Sequence, residues 1–343
     1  MSRIHLLIAM VLLTGGVLMP MPGVQAQDAR RCFDTPGITQ CIEGRFREFW
    51  EQNGGLSVFG YPITPATMEP TADGTFLTQY FERNRFELHP EKARPYDVLL
   101  GRLGDDRLRQ QDRDWHAFAP GKPTEGCLFF QETGHNVCDL TGGMGFKTYW
   151  ENHGLQDPAL GKFQRSLALF GLPLSEVVVE TNVAGDTVLT QWFERARFEY
   201  HLDKPREFAV LLGLLGSEIR SGPGQPAPTL PPPGPAPFQE CNGIAQGENA
   251  IAAPNCVKAG TLIGVALFGF QPNEEITFTI TAPDGAAVAG SQTKQVGVNG
   301  FTIVDVDTKD YFGVVLRPGD YVFVAQDTKG QNRRARAPFR VLP

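Results

Sequence analysis

The chain is short of long apolar runs, of positive charge, and of every familiar catalytic signature. Beyond residue 26 no stretch reaches the ~18 consecutive apolar residues that a membrane helix requires, so no stop-transfer or later spanning segment is expected. Lys and Arg number 31 against 38 Asp and Glu, a net charge of −7. That sign argues against nucleic acid, which recruits a basic footprint. No G-x-S-x-G, H-E-x-x-H, P-loop or Cys–His signature is present, and each of those chemistries needs its residues at that spacing. C-x-x-C is missing as well, which removes the usual zinc-ligand pair. No catalytic residue, metal or cofactor is expected.

What the chain does have begins with Arg3, an apolar run from Ile4 to Met19, and small residues ending at Val24-Gln25-Ala26. This pattern predicts a secretory signal peptide over 1–26. Its removal takes one arginine and no acid, so −7 becomes −8. The mature protein is expected to be secreted or extracellular. All six cysteines lie beyond this segment in three close pairs. Six cysteines allow fifteen connectivities, and local pairing as Cys32–Cys41, Cys127–Cys138 and Cys241–Cys256 is the simplest. Each such loop would contribute ~2–3 kcal/mol on the chain-entropy account.

One stretch is written twice. Thr78–His89 reads TQYFERNRFELH and Thr190–His201 reads TQWFERARFEYH, nine of twelve positions identical at an offset of 112. VLLGRLG at Val98 and VLLGLLG at Val210 extend the match downstream, FGYP at Phe59 and FGLP at Phe170 upstream. Repetition at this scale marks a duplicated structural unit. Read as a hairpin turning at Arg83-Asn84, the first copy pairs Phe81 with Phe86, Tyr80 with Glu87 and Gln79 with Leu88. Alternation along a strand then puts Leu77, Phe81, Phe86 and Leu88 on a core face. Thr78, Tyr80, Glu82, Arg85, Glu87 and His89 share the other. The second copy sorts alike, with Trp192, Glu194 and Arg197 on the polar face. An aromatic plate beside carboxylates and a guanidinium suits sugar hydroxyls, so Tyr80, Glu82, Arg85, Trp192, Glu194 and Arg197 are the candidate ligand-binding residues. The plainer reading of that face is a solvated surface with one ion pair. His89 and His201 are duplicated too, which favours a structural role over a catalytic one.

The organisation expected is a multidomain chain. A first α+β unit spans 27–104, with Phe46, Phe49 and Trp50 on one helical face and Asn53-Gly54-Gly55 as its stop. Val98, Leu99 and Leu103 are placed on a closing helical face. A polar connector covers 105–125 and a second α+β unit 126–220. The second unit carries eleven extra residues near ENHGLQDPALGKFQRS, of surface-loop composition. A Pro-rich linker, 221–237, should separate this part from 238–343. There, short β-branched and aromatic runs alternate with Pro-Asp-Gly and Pro-Gly-Asp turns, the pattern of an antiparallel immunoglobulin-like sandwich. Arg333, Arg334, Arg336 and Arg340 suit a solvated edge strand.

Trp50, Gly54-Gly55, Phe59-Gly60-Tyr61-Pro62, Asp73-Gly74 and Gln79-Tyr80-Phe81-Glu82-Arg83 together resemble the LGFP repeat of secreted and cell-envelope proteins. Trp150, Phe170-Gly171-Leu172-Pro173 and Gln191-Trp192-Phe193-Glu194-Arg195 resemble it again. Copy two departs from the pattern with a single Gly154 and an inverted Gly185-Asp186. The resemblance implies a non-catalytic module that attaches proteins to the cell wall or surface. The expected partner is therefore a cell-wall polysaccharide, a surface glycan or a surface protein. A structural protein-interaction module and an extracellular hydrolase with an unrecognised site are the two alternatives.

Overall fold

The computed structural model describes residues 30–71, 74–141, 144–221, 241, 243–245 and 247–343. The expected signal peptide, and the expected linker beyond Ser221, lie outside the described residues. Strands β1 (Arg30–Arg31) and β2 (Ile42–Glu43) pair beside the Cys32–Cys41 disulfide. Helix α1 (Gly44–Gln52) then buries Phe46, Phe49 and Trp50, as their spacing requires. Asn53 closes it by donating its side-chain amide to Phe49 O, 2.8 Å. The two glycines that follow, at φ 99° and 54°, end α1 as expected and turn the chain into a second short helix, α2 (Gly55–Phe59). Positive φ is a conformation that glycine adopts without steric cost.

Strands β3 (Thr67–Thr71), β4 (Gly74–Tyr80), β5 (Arg85–Leu88) and β6 (Val98–Leu100) form an antiparallel sheet in chain order. Helix α3 (Leu103–Gln110) leaves it. The helical face expected of Val98, Leu99 and Leu103 is thus divided between a strand and a helix, because Phe86–Leu88 offers Val98–Leu100 a ladder. The expected connector opens inside α3, whose Leu108 is fully buried despite its polar neighbours.

Downstream, β7 (Leu128–Phe130) pairs with β8 (His135–Val137), and β9 (Asp139–Thr141) with β10 (Met144–Gly145). Cys127–Cys138 joins the two ends of the β7–β8 hairpin. Helices α4 (Phe146–Asn152) and α5 (Lys162–Phe170) follow. Strands β11 (Val178–Thr181), β12 (Thr187–Trp192), β13 (Arg197–Tyr200) and β14 (Val210–Leu212) build a second four-stranded sheet of the same order. Helix α6 (Leu215–Ser221) ends this part. The extra residues between Trp150 and Phe170 are more than a surface loop, since they lengthen α5 and bury Leu155.

The two sheets share a register. Gln79 faces Phe86 and Tyr80 faces Arg85; Gln191 faces Phe198 and Trp192 faces Arg197. The expected pairing is therefore two residues out. Each hairpin closes early, over the four-residue loops Phe81–Asn84 and Phe193–Ala196, held by Phe81 N–H to Asn84 O (2.7 Å) and Phe193 N–H to Ala196 O (2.9 Å). Such a loop asks no positive φ of Asn84 or Ala196. A slip of two, unlike a slip of one, leaves every side chain on its face. On the core face Phe81, Phe86 and Phe59 join Phe49, with Phe193, Phe198 and Phe170 as counterparts. Gln79 and Gln191 sit among them, each donating to two carbonyls: Cys41 and Thr64 O at 2.9 Å, Asn136 and Ser175 O at 2.7 and 2.8 Å.

The last hundred residues are an immunoglobulin-like sandwich. One sheet holds β15 (Ala250–Ala253), β17 (Leu262–Leu267) and β20 (Thr302–Asp307) in the order β15-β17-β20. The other contains β16 (Cys256–Lys258), β18 (Glu275–Thr281), β19 (Gln292–Gln295), β21 (Gly319–Asp327) and β22 (Arg334–Leu342), ordered β16-β22-β21-β18-β19. One pair, β16 with β22, is parallel, so the sheet is not wholly antiparallel. The arginine-rich β22 is an interior strand; Arg333 meets Glu274 and Arg340 meets Asp320. The sandwich closes its main core, including Ile263, Ile280, Phe323 and Phe339, with its own side chains alone. It is also docked, since Ala266 and Ile303 join the core of the preceding part and Arg206 pairs with Asp305.

Candidate functional site

Each F-G-x-P turn and its Q-x-F-E-R loop lock together. Gly60 and Gly171 have φ of 79° and 76°, and a Cβ there would stand 2.4 Å from Glu82 Oε2 and 2.6 Å from Glu194 Cβ. The carboxylates sit close because they accept main-chain N–H bonds from the next residue, Tyr61 (3.0 Å) and Leu172 (3.2 Å). Glu82 and Glu194 therefore hold a turn rather than a ligand.

The polar face beside them is not a surface. Trp192 is 1 % exposed and Tyr80 6 %, in a cluster with Leu103, Leu108, Leu174 and Leu215. What covers each ring comes from the other sheet's closing helix. Gly104 N–H of α3 donates to Glu194 O (3.0 Å), while Ser217 N–H of α6 donates to Glu82 O (3.1 Å). Both contacts are tight: a Cβ on Gly104 would lie 1.8 Å from Phe193 O, one on Gly216 1.9 Å from Phe81 O. Arginines complete the exchange. Arg113 lies over Trp192 and reaches Glu180, and Arg220 lies over Tyr80 and reaches Glu69. Trp192 Nε1–H also donates to Glu180, 3.0 Å.

The expected plates are thus interior packing, and the expected ligand arginines are interior ion pairs. Arg85 reaches Glu87 (2.7 Å), Asp106 (3.1 Å) and the Tyr80 hydroxyl (3.3 Å). Arg197 reaches Glu199 (2.9 Å) and both oxygens of Glu218 (3.0 and 2.7 Å), with Arg107 on the same Glu218. Burial would lower the basicity of both arginines, but their carboxylate and hydroxyl partners outweigh it, so each holds its proton more firmly than usual. Burial likewise pushes the Glu199 carboxyl up, yet His201, Arg197 and Asn182 outweigh it and bring it down to about 2. His201 Nε2 lies 3.2 Å from Glu199. No arginine or carboxylate of the set is free for a sugar hydroxyl, because the duplicated face is consumed in joining the sheets.

Sequence reasoning missed a different feature, an apolar groove of about 490 Å³ where the two parts meet. Strand β6 forms one wall with Leu99, and α5 with its preceding loop forms the other through Leu155, Leu160 and Leu167. Glu132, Gln164, Arg195 and the candidate residue Glu194 supply its polar lining. Leu155 and Leu160 within a polar insertion, with Leu167 just after it, were the available signal. Among the described residues no group of three His, Cys, Asp or Glu could hold a metal ion.

Comparison with known proteins bears on the sandwich. Residues 245–341 match the macroglobulin-like domain family. No curated protein matches. A solved structure, the CARDB domain of the PF1109 protein from Pyrococcus furiosus in complex with di-metal ions, is 14 % identical. It covers 29 % of this chain and 94 % of its own at a TM-score of 0.19, too low to carry an argument.

Proposed function

We propose that this is an exported, non-catalytic binding or anchoring protein of the cell surface, built from two copies of one α+β unit and a macroglobulin-like sandwich. The three disulfides support an oxidising compartment, and the LGFP-like motifs support attachment to the envelope. The observation that carries the reading is the inter-copy groove, of a volume in the range of ligand sites. Its lining suits an apolar or aromatic part of a surface molecule better than a bare polysaccharide, whose hydroxyls would lose water there without partners. The protein should be retained on envelope fragments without releasing sugar, and Leu160→Glu should weaken retention with little change in melting temperature. Retention unchanged by Leu160→Glu, or release of sugars, would count against it. The tight mutual packing of the copies also favours a second reading, a structural protein-interaction module.

A further inference from the structure

The two copies differ most in what lies over the core face of each sheet. In copy two, Leu189 and Tyr200 on that face are fully buried. Tyr200 shares a cleft with Ile303 and Asp305 of the sandwich, and Gly264 approaches Leu202 so closely that a Cβ would stand 2.7 Å from its carbonyl oxygen. Arg206 fixes the rim by pairing with Asp305. The hairpin β9–β10 also lies there, touching β20 and accepting Asn299 Nδ2–H on Asp139 O, 3.4 Å.

At the same offset of 112, copy one carries Leu77 for Leu189, Leu88 for Tyr200, Pro90 for Leu202 and Arg94 for Arg206. These positions are uncovered. Leu77 and Leu88 are half-buried, and with Ala66, Phe46 and Arg45 they line a cavity of about 390 Å³. Arg94 is 67 % exposed and paired with Glu48, itself 55 % exposed, and with Asp97 at 3.7 Å. Among the described residues copy one has no counterpart of the β9–β10 hairpin, because β2 runs directly into α1.

We propose that this face of copy one is a docking surface for a second immunoglobulin-like sandwich, carried by a partner protein. That partner would lay aliphatic strand side chains over Leu77 and Leu88 and present a carboxylate to Arg94. The choice of occupant follows from the duplication, since the equivalent positions of copy two, two of them the same residue type (Leu189 and Arg206), are covered by such a domain. It follows also from charge, because the Arg206–Asp305 pair has its basic half repeated at Arg94. Exchanging an exposed Glu48 for an incoming carboxylate costs Arg94 little, exposed pairs contributing at most about 1 kcal/mol. This chain's own sandwich is held at copy two by Tyr200, the hairpin and its covalent tether, so it does not compete for the site.

The test adds residues 241–343 as a separate polypeptide, a stand-in partner that closes its own core, to the full-length chain. Hydrogen exchange is read on both copies. At roughly 0.1 mM probe, a concentration suited to weak interfaces, amides of 75–88 should slow. Arg94→Glu in the full chain should weaken the effect at least tenfold, and Asp305→Arg in the probe should restore it. Protection confined to 187–206 would mean exchange with the resident sandwich and would overturn the proposal. So would no protection in either copy, with the probe shown to be folded by its amide spectrum, or protection indifferent to Arg94→Glu.

Discussion

Tyr80 and Trp192 stand at matched positions of the two copies, stacked with arginines in the same way, and yet they are held differently. Tyr80 keeps its hydroxyl on Arg85 within its own sheet. Trp192 sends Nε1–H to Glu180, which Arg113 of the other copy also grips. The asymmetry extends outward. Arg85 meets the shorter Asp106, while Arg197 meets Glu218, and Glu218 in turn meets Arg107. Copy two therefore holds the deeper ionic cluster, and copy two is also the one the sandwich covers. The two sheets share an order and a register, and the differences show where each meets a neighbour.

The largest break in that comparison should come from truncating the rings. Trp192→Ala empties a fully buried site and is expected to cost about 3–5 kcal/mol, read as a shift in the denaturant midpoint. Tyr80→Ala should cost measurably less, because the smaller ring is not wholly enclosed. Equal losses, or none for Trp192, would contradict the packing described.

Those two rings also show how far the sequence could be read. Alternation within the Thr78–His89 stretch placed each side chain on its true face even though the pairing was two residues out, because local periodicity is insensitive to an even slip. Cysteine spacing gave the three disulfides, and turn residues gave the sandwich. What no local pattern encoded was that a second copy would lie over the polar face. Tyr80 beside Glu82 and Arg85 looks the same whether water or another unit covers it. The signal that bears on this is Gly104 and Gly216, each in a short Leu-Gly sequence, and its meaning depends on a carbonyl from the other copy. The groove escaped for the same reason, since its walls come from residues some sixty apart.

Acid should separate the copies next. The Glu199 carboxyl titrates near 2 in the folded protein, against an ordinary 4.5. A depressed carboxylate contributes stability that is fully present above its unfolded value and is lost as pH falls toward the folded one. Stability should therefore drop between about pH 4.5 and 2, by on the order of 3 kcal/mol from this group. In Glu199→Gln that pH dependence should be shallower, although the variant starts less stable because Arg197 loses a partner. An unchanged slope would show that Glu199 is not the group responsible.

Gly104→Ala and Gly216→Ala test whether the exchange of helices is reciprocal. Both substitutions force a methyl against a carbonyl of the other copy, and overpacking of this kind costs about 1–3 kcal/mol. Equal penalties are expected, with faster exchange appearing in the opposite copy each time. A penalty for one glycine alone would mean that a single helix does the joining.

The smallest effect concerns how the sandwich is held. Arg206 and Asp305 are each about one-third exposed, so their attraction is screened by water and the pair should contribute no more than about 1 kcal/mol. Docking then rests on the apolar contact of Ile303 and Ala266 with the core. That contact does not weaken with salt, whereas an exposed ion pair does. Arg206→Ala should leave the sandwich docked, with a melting shift that shrinks as salt is added. Ile303→Asp should expose Tyr200 at any salt concentration, detected as faster exchange across Arg197–Tyr200 with the sandwich still folded. If Arg206→Ala alone freed the sandwich, the pair would outweigh the apolar contact, and the exposed Arg94 of copy one would be the dominant feature of its open face.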